Sequence, residues 1–229
     1  MMKRFAIIAM MFWNLLFGQE AVAQDWADKA HYAKANAELI ANGTDAQRVV
    51  MMGNSITEFW YDVHPDFFSA NHLVGRGISG QVSSQMLARF RQDVINLSPR
   101  AVVINCGTND IAENNGPYDE DITMDNIVSM AELAIYNGIT VVLTSVLPCN
   151  SFCWNTSVKD VSDKIQSLNA RIVGLAETLS VPYIDYYNLM VIEDSGAMNP
   201  AFTDDGVHPN PYGYNVMERL LAEKLKTVK

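Results

Sequence analysis

Four short segments carry the residue types that nucleophilic acyl chemistry needs. The apolar run in "VVMMGNSITEFW" ends at Gly53-Asn54, and Ser55 follows directly. A serine at that point reads as a helix N-cap, with Glu58 three residues on completing a capping box, as a turn former, or as a nucleophile. Cap and nucleophile are compatible, because the N–H groups at a helix start stabilise a nearby oxyanion. "GRGISGQ" contains Gly80 and "CGTND" contains Asn109. A glycine N–H and an asparagine amide are oxyanion-hole donors, although Gly80 could simply supply a positive φ and Asn109 a turn. In "DDGVHPN", Asp205 lies three residues before His208, so a turn can bring its carboxylate to the imidazole Nδ1 and orient the ring as a base. His64 and His72 lack an acid at that spacing. His31 has Asp28, but that pair is expected on the first helix as a surface i,i+3 contact, ahead of every strand.

These segments need strands to deliver them to one place. Short, continuously apolar or β-branched runs predict strands at Val49–Met52, His72–Val74, Ala101–Asn105, Thr140–Val146 and Pro182–Asp185. Helical spacing predicts helices over Trp26–Ala41, Val82–Leu97, Ile122–Asn137, which ends at Gly138, and Val158–Leu179. A final helix starts at Pro211 and reaches Leu225. Alternating strands and helices imply an α/β fold whose mostly parallel sheet is covered on both faces. Ligands then sit at the carboxyl ends of the strands, where three of the four segments begin.

Taken in order, "GNSI", "ISGQ", "GTND" and "DGVHPN" resemble the four blocks of the SGNH hydrolases, the GDSL esterase/lipase family. The blocks span residues 53 to 210. The resemblance implies Ser55 as nucleophile, Asp205 and His208 as acid and base, and an oxyanion hole from Ser55, Gly80 and Asn109. It also implies a three-layer α/β/α flavodoxin-like sandwich with a five-stranded parallel sheet, and hydrolysis of short acyl esters through an acyl-enzyme. No metal or organic cofactor is called for. One letter departs from the family: Asn54 stands where the first block usually has aspartate. Three rivals are a lysophospholipase or thioesterase acting on lipid acyl groups, a glycan-binding protein on an inactive hydrolase scaffold, and a cofactor-binding flavodoxin type, whose phosphate loop would need more Gly, Ser and Thr than "GNSIT" supplies.

The remaining features bound the setting. The 229 residues, 49% hydrophobic and 18% charged, suit one domain over residues 24–229. Met1–Arg4 give a positive start, Phe5–Phe17 an apolar stretch, and Ala21-Val22-Ala23 a cleavage site. This is the pattern of a signal peptide over residues 1–23, shorter than a spanning helix, so an exported protein without stable membrane insertion is expected. Removing it deletes Lys3, Arg4 and Glu20, a net charge of +1, from a chain whose formal charge is −10. An acidic chain with no basic run argues against nucleic acid as a partner and leaves a small-molecule or glycan ester. Trp60, and Phe152 with Trp154, are candidates to stack on a sugar, with core packing as the alternative. Cys149 and Cys153 are close enough in sequence for a disulfide, Cys106 lies in an apolar run, and no Cys/His set has zinc spacing.

Overall fold

The computed structural model describes residues 25–228. The expected signal peptide, residues 1–23, lies outside them. The chain order is α1 (Ala33–Ala41), β1 (Val49–Gly53), α2 (Ser55–Val63), α3 (Pro65–Ala70), β2 (Leu73–Gly77), α4 (Ser83–Asp93), β3 (Ala101–Ile104) and α5 (Thr108–Ile111). There follow α6 (Glu120–Tyr136), β4 (Thr140–Thr144), α7 (Val161–Leu179), β5 (Tyr183–Ile184), α8 (Tyr187–Met190), the strands β6 (Val191–Ile192) and β7 (Ala197–Met198), and α9 (Pro211–Leu225). Five strands form one sheet in the order β2-β1-β3-β4-β5, and every pair is parallel. This is the doubly wound order that reverses between β1 and β3, where ligands collect at the strand ends. The strands β6 and β7 pair antiparallel in a separate hairpin.

Side-chain alternation divides the core into two layers. Val50, Met52, Val102, Ile104, Val141 and Leu143 face α4, α6 and α7 through Phe90, Met130 and Ile165. Val49, Met51, Val103 and Val142 face α2, α3 and α9 through Trp60, Phe68, Tyr214 and Leu221. Strands buried on both sides must be apolar at every position, which is why the runs "VVMM" and "AVVI" were legible without alternation.

Several boundaries differ from the sequence expectation, each for a local reason. The first helix begins at Ala33, not Trp26, because Asp28 sits at φ +49° and the Asp25 carboxylate captures the Ala30 N–H at 2.9 Å. Asp28 and His31 do pair, at 3.2 Å, but in that turn and not on a helix. β2 runs on past the expected end at Val74 through Gly75-Arg76-Gly77, registered with Met51, Met52 and Gly53, so these residues belong to the strand and not to the loop after it. A Cβ on Gly77 would lie 2.4 Å from the Glu58 N and 2.5 Å from the Asn54 O, so only glycine lets this strand end abut the start of α2. The helix expected over residues 82–97 breaks at Val94 (φ −125°, ψ −67°) and continues as a 3₁₀ turn, Ile95–Leu97. α7 starts at Val161, after Asp160 in the left-handed region.

Candidate active site

Ser55 is the first residue of α2, and the cap is its neighbour. The Asn54 Oδ1 accepts the Ile56 N–H at 3.1 Å, while the Asn54 backbone carbonyl accepts from Thr57 and Glu58. The N-cap reading of Ser55 is therefore corrected by one residue, and the capping-box role of Glu58 falls with it. The Glu58 carboxylate instead accepts the N–H and the hydroxyl of Ser79, docking the loop after β2 against the first turn of α2. Capping by Asn54 leaves the Ser55 hydroxyl free to face the histidine.

The Ser55 Oγ lies 2.9 Å from the His208 Nε2, and the His208 Nδ1 lies 2.6 Å from the Asp205 Oδ2. The other carboxylate oxygen of Asp205 accepts the backbone N–H groups of Val207 (2.8 Å) and His208 (2.7 Å). Burial works against the charged carboxylate, but the hydrogen bonds from the His208 ring and from these two N–H groups outweigh it and hold the Asp205 pKa down to about 2. Thr203 braces the turn, its hydroxyl donating to the His208 carbonyl at 2.7 Å and accepting the Gly206 N–H. An ionised carboxylate on Nδ1 fixes the tautomer in which Nε2 can accept the serine proton.

Gly80 adopts φ +77°, a conformation open to glycine at no steric cost. The next residue connects it to Asn109, whose Nδ2 donates to the Gln81 carbonyl at 3.0 Å. Asn109 is 4% exposed, in the first turn of α5 beyond the end of β3. A buried charge ties these parts together. Arg89, fully buried on α4, donates to the Gly53 carbonyl at 3.0 Å, to the Gln81 Oε1 at 2.6 Å and to Asp93 at 2.9 Å. It thereby spans the strand end before Ser55 and the loop after Gly80. Removing Arg89 would strand Asp93 in the core, a loss on the order of 3–5 kcal/mol. Asp110 plays a similar part from the third segment, accepting the Ser83 N–H at the start of α4. Its burial raises its pKa against those bonds.

The aromatic candidates divide. Trp60 is 1% exposed, stacked between Phe67 and Tyr214, with its indole N–H on Glu218 at 3.1 Å. This corrects its reading as a sugar contact: one helical step past the face that carries Ser55, it points into the core. Phe152 is also buried, as a support 5.1 Å from the Trp154 ring. Trp154 is 44% exposed, its ring 6.4 Å from His208. The ring that sequence reasoning missed is Phe59, 39% exposed and 5.2 Å from His208. The signal for it was present, since Phe59 is four residues from Ser55 and shares its helix face. The cysteines are free thiols. Cys106 and Cys149 are buried and Cys153 is exposed.

The family model for GDSL-like lipases/acylhydrolases matches residues 51–216. The chain belongs to that family. Two solved structures from Bacteroides are similar over nearly the whole fold. A GDSL-like lipase from Bacteroides thetaiotaomicron is 52% identical, with a TM-score of 0.86 over 89% of this chain and 99% of its own. A protein from Bacteroides fragilis is 56% identical, with a TM-score of 0.87 over 90% of this chain and 100% of its own. An acetylxylan esterase from Xylanibacter ruminicola is 24% identical in an alignment of 217 positions that covers 80% of this chain. The chain spans 44% of the length of that curated relative. Within this GDSL-like fold, the sheet order places the Ser55 and Asn109 loops side by side, at the ends of the adjacent strands β1 and β3.

Proposed function

We propose that this protein is an exported serine esterase that removes short acyl groups, acetyl above all, from a carbohydrate. The observation that carries the reading is the unbroken line from the Ser55 Oγ through the His208 imidazole to the Asp205 carboxylate, at 2.9 and 2.6 Å. His208 takes the proton of Ser55 as the serine oxygen attacks the ester carbonyl. The oxyanion is met by the N–H groups of Ser55 and Gly80 and by the second N–H of the Asn109 amide. His208 then protonates the leaving alcohol, and water repeats the sequence on the acyl-enzyme. Ser55 is the first residue of α2, so its N–H has no acceptor inside the helix.

The substrate class rests on the surroundings. Phe59 and Trp154 both lie beside His208, their rings 5.2 and 6.4 Å from it and each partly exposed, as a sugar contact would require. The similarity to an acetylxylan esterase points the same way. The test is a series of p-nitrophenyl esters from acetate to octanoate, run beside acetate release from acetylated xylan and pectin. A sharp preference for acetate with release from a polysaccharide is expected. A preference for octanoate, without release from polysaccharide, would sink the carbohydrate reading in favour of a lipid acyl hydrolase.

A further inference from the structure

The Asn109 amide is held by a chain of hydrogen bonds that reaches the surface. Its Oδ1 accepts from the Asn114 Nδ2 at 3.0 Å, and the same Nδ2 donates to the Gly80 carbonyl at 3.2 Å. The Asn114 Oδ1 accepts the Trp154 indole N–H at 2.9 Å. A neighbouring bond, from the Asn155 Nδ2 to the Ala112 carbonyl at 2.9 Å, pins the Trp154 loop to the same segment.

The chain has only one polarity. Carbonyls at Gln81 and Gly80 can only accept, and an indole N–H can only donate. Turning the Asn114 amide over would set oxygen against the Gly80 oxygen and N–H against the indole N–H. Turning over Asn109 would set its oxygen against the Gln81 carbonyl. A free asparagine has no such preference, so the Asn109 amide is held at one end by the Gln81 carbonyl and at the other by the line from Trp154 through Asn114.

We infer that Asn114 and Trp154 are positioning residues, which hold the Asn109 amide with an N–H aimed at the oxyanion and tie it to the Gly80 loop. The inference rests on the esterase reading above. It gives Trp154 a task beyond any sugar contact, because its ring can be kept while its N–H is removed.

Three variants of the full chain separate the possibilities, assayed on p-nitrophenyl acetate, a substrate too small to need a sugar platform. Trp154→Phe keeps the ring and deletes the donor. Asn114→Asp keeps the acceptor for Trp154 and deletes both N–H bonds, setting a carboxylate against the Asn109 and Gly80 oxygens. Ser55→Ala reports on the esterase reading itself. Deleting an oxyanion donor outright costs about 10²–10³ in kcat. Misaiming it is expected to cost about tenfold for Trp154→Phe and about a hundredfold for Asn114→Asp, with KM within about twofold. Because both act through one amide, the double variant should lose no more than Asn114→Asp alone. Parental kcat in Trp154→Phe and Asn114→Asp, or a loss confined to KM, overturns the inference while an inactive Ser55→Ala leaves the esterase reading standing. An active Ser55→Ala overturns both. Should Asn114→Asp fail to fold, Trp154→Phe, a change at a half-exposed ring, carries the test alone.

Discussion

Asn109→Ala separates a catalytic donor from a structural brace, because the side chain has a bonding duty in the fold and a proposed one in the reaction. In the fold, its Nδ2 satisfies the Gln81 carbonyl at 3.0 Å and its Oδ1 receives the Asn114 amide at 3.0 Å. Truncation leaves a buried carbonyl without its donor, a cost of about 1–3 kcal/mol. The Asn114 N–H keeps the Gly80 carbonyl, so its loss is small. In a domain of this size, about 1 kcal/mol moves Tm by roughly 2–4 °C, so Tm should fall by roughly 2–12 °C. In the reaction, removing one oxyanion donor costs about 10²–10³ in kcat, or about 2.7–4 kcal/mol of transition-state stabilisation. The two effects are read separately, by a circular-dichroism melt and by steady-state hydrolysis of p-nitrophenyl acetate well below the variant's Tm. The expected outcome is a folded protein with KM nearly unchanged and kcat down by at least a hundredfold. A Tm lowered as calculated with kcat within threefold of the parent would refute the donor role and leave Asn109 as a brace.

Three further outcomes follow from single observations. Asn54→Ala deletes the N-cap of α2 and should cost about 1 kcal/mol, whereas Asn54→Asp keeps the acceptor, adds charge at a helix N-terminus and should melt at or above the parent temperature. A lower Tm for the aspartate variant would remove capping as the reason asparagine serves there. The Asp205 pKa is held at about 2, below its ordinary 3.8, so its contribution to stability is present above 3.8 and lost as pH falls towards 2. Its partial exposure keeps that contribution modest and salt-sensitive. Asp205 should therefore stay ionised over the acid limb of kcat/KM, and a limb of slope two would show it titrating there. Finally, native protein should take one equivalent of maleimide, at the exposed Cys153. Burial pushes the Cys106 thiol well up and the Cys149 thiol up to about 11, so modification of either in folded protein would contradict this.

The layout of the fold was legible where burial alone dictates sequence. β1 and β3 are buried on both faces and read as unbroken apolar runs, and Pro211 at the start of α9 marked its first turn. β2 was cut short because Gly75 and Gly77 look like turn residues; the backbone of α2 requires glycine at Gly77, whereas a Cβ on Gly75 would meet Phe68 and Tyr61 only at 3.5 Å, an ordinary contact. Short α3 and α8 and the β6-β7 hairpin carry too few residues for a periodic signal. At the site, Ser55, Gly80, Asn109, Asp205 and His208 stood out because their types and loop positions match a chemistry. Asn114 did not, because its part depends on facing Gly80, Asn109 and Trp154 at once, contacts between segments that no spacing encodes. Trp60 and Phe59 show the same limit on a helix: adjacent aromatics differ by about 100° in direction, and which one meets the core is set by where α9 packs.

The central claim is that Ser55, activated by His208, is the nucleophile. It is tested most directly by treating the protein with an organophosphonate ester and locating the adduct by peptide mass spectrometry. A single adduct on Ser55, absent in Ser55→Ala and slowed in His208→Ala, with loss of esterase activity in step with labelling, is predicted. An adduct on another residue, or a Ser55→Ala protein that hydrolyses p-nitrophenyl acetate as fast as the parent, would contradict it.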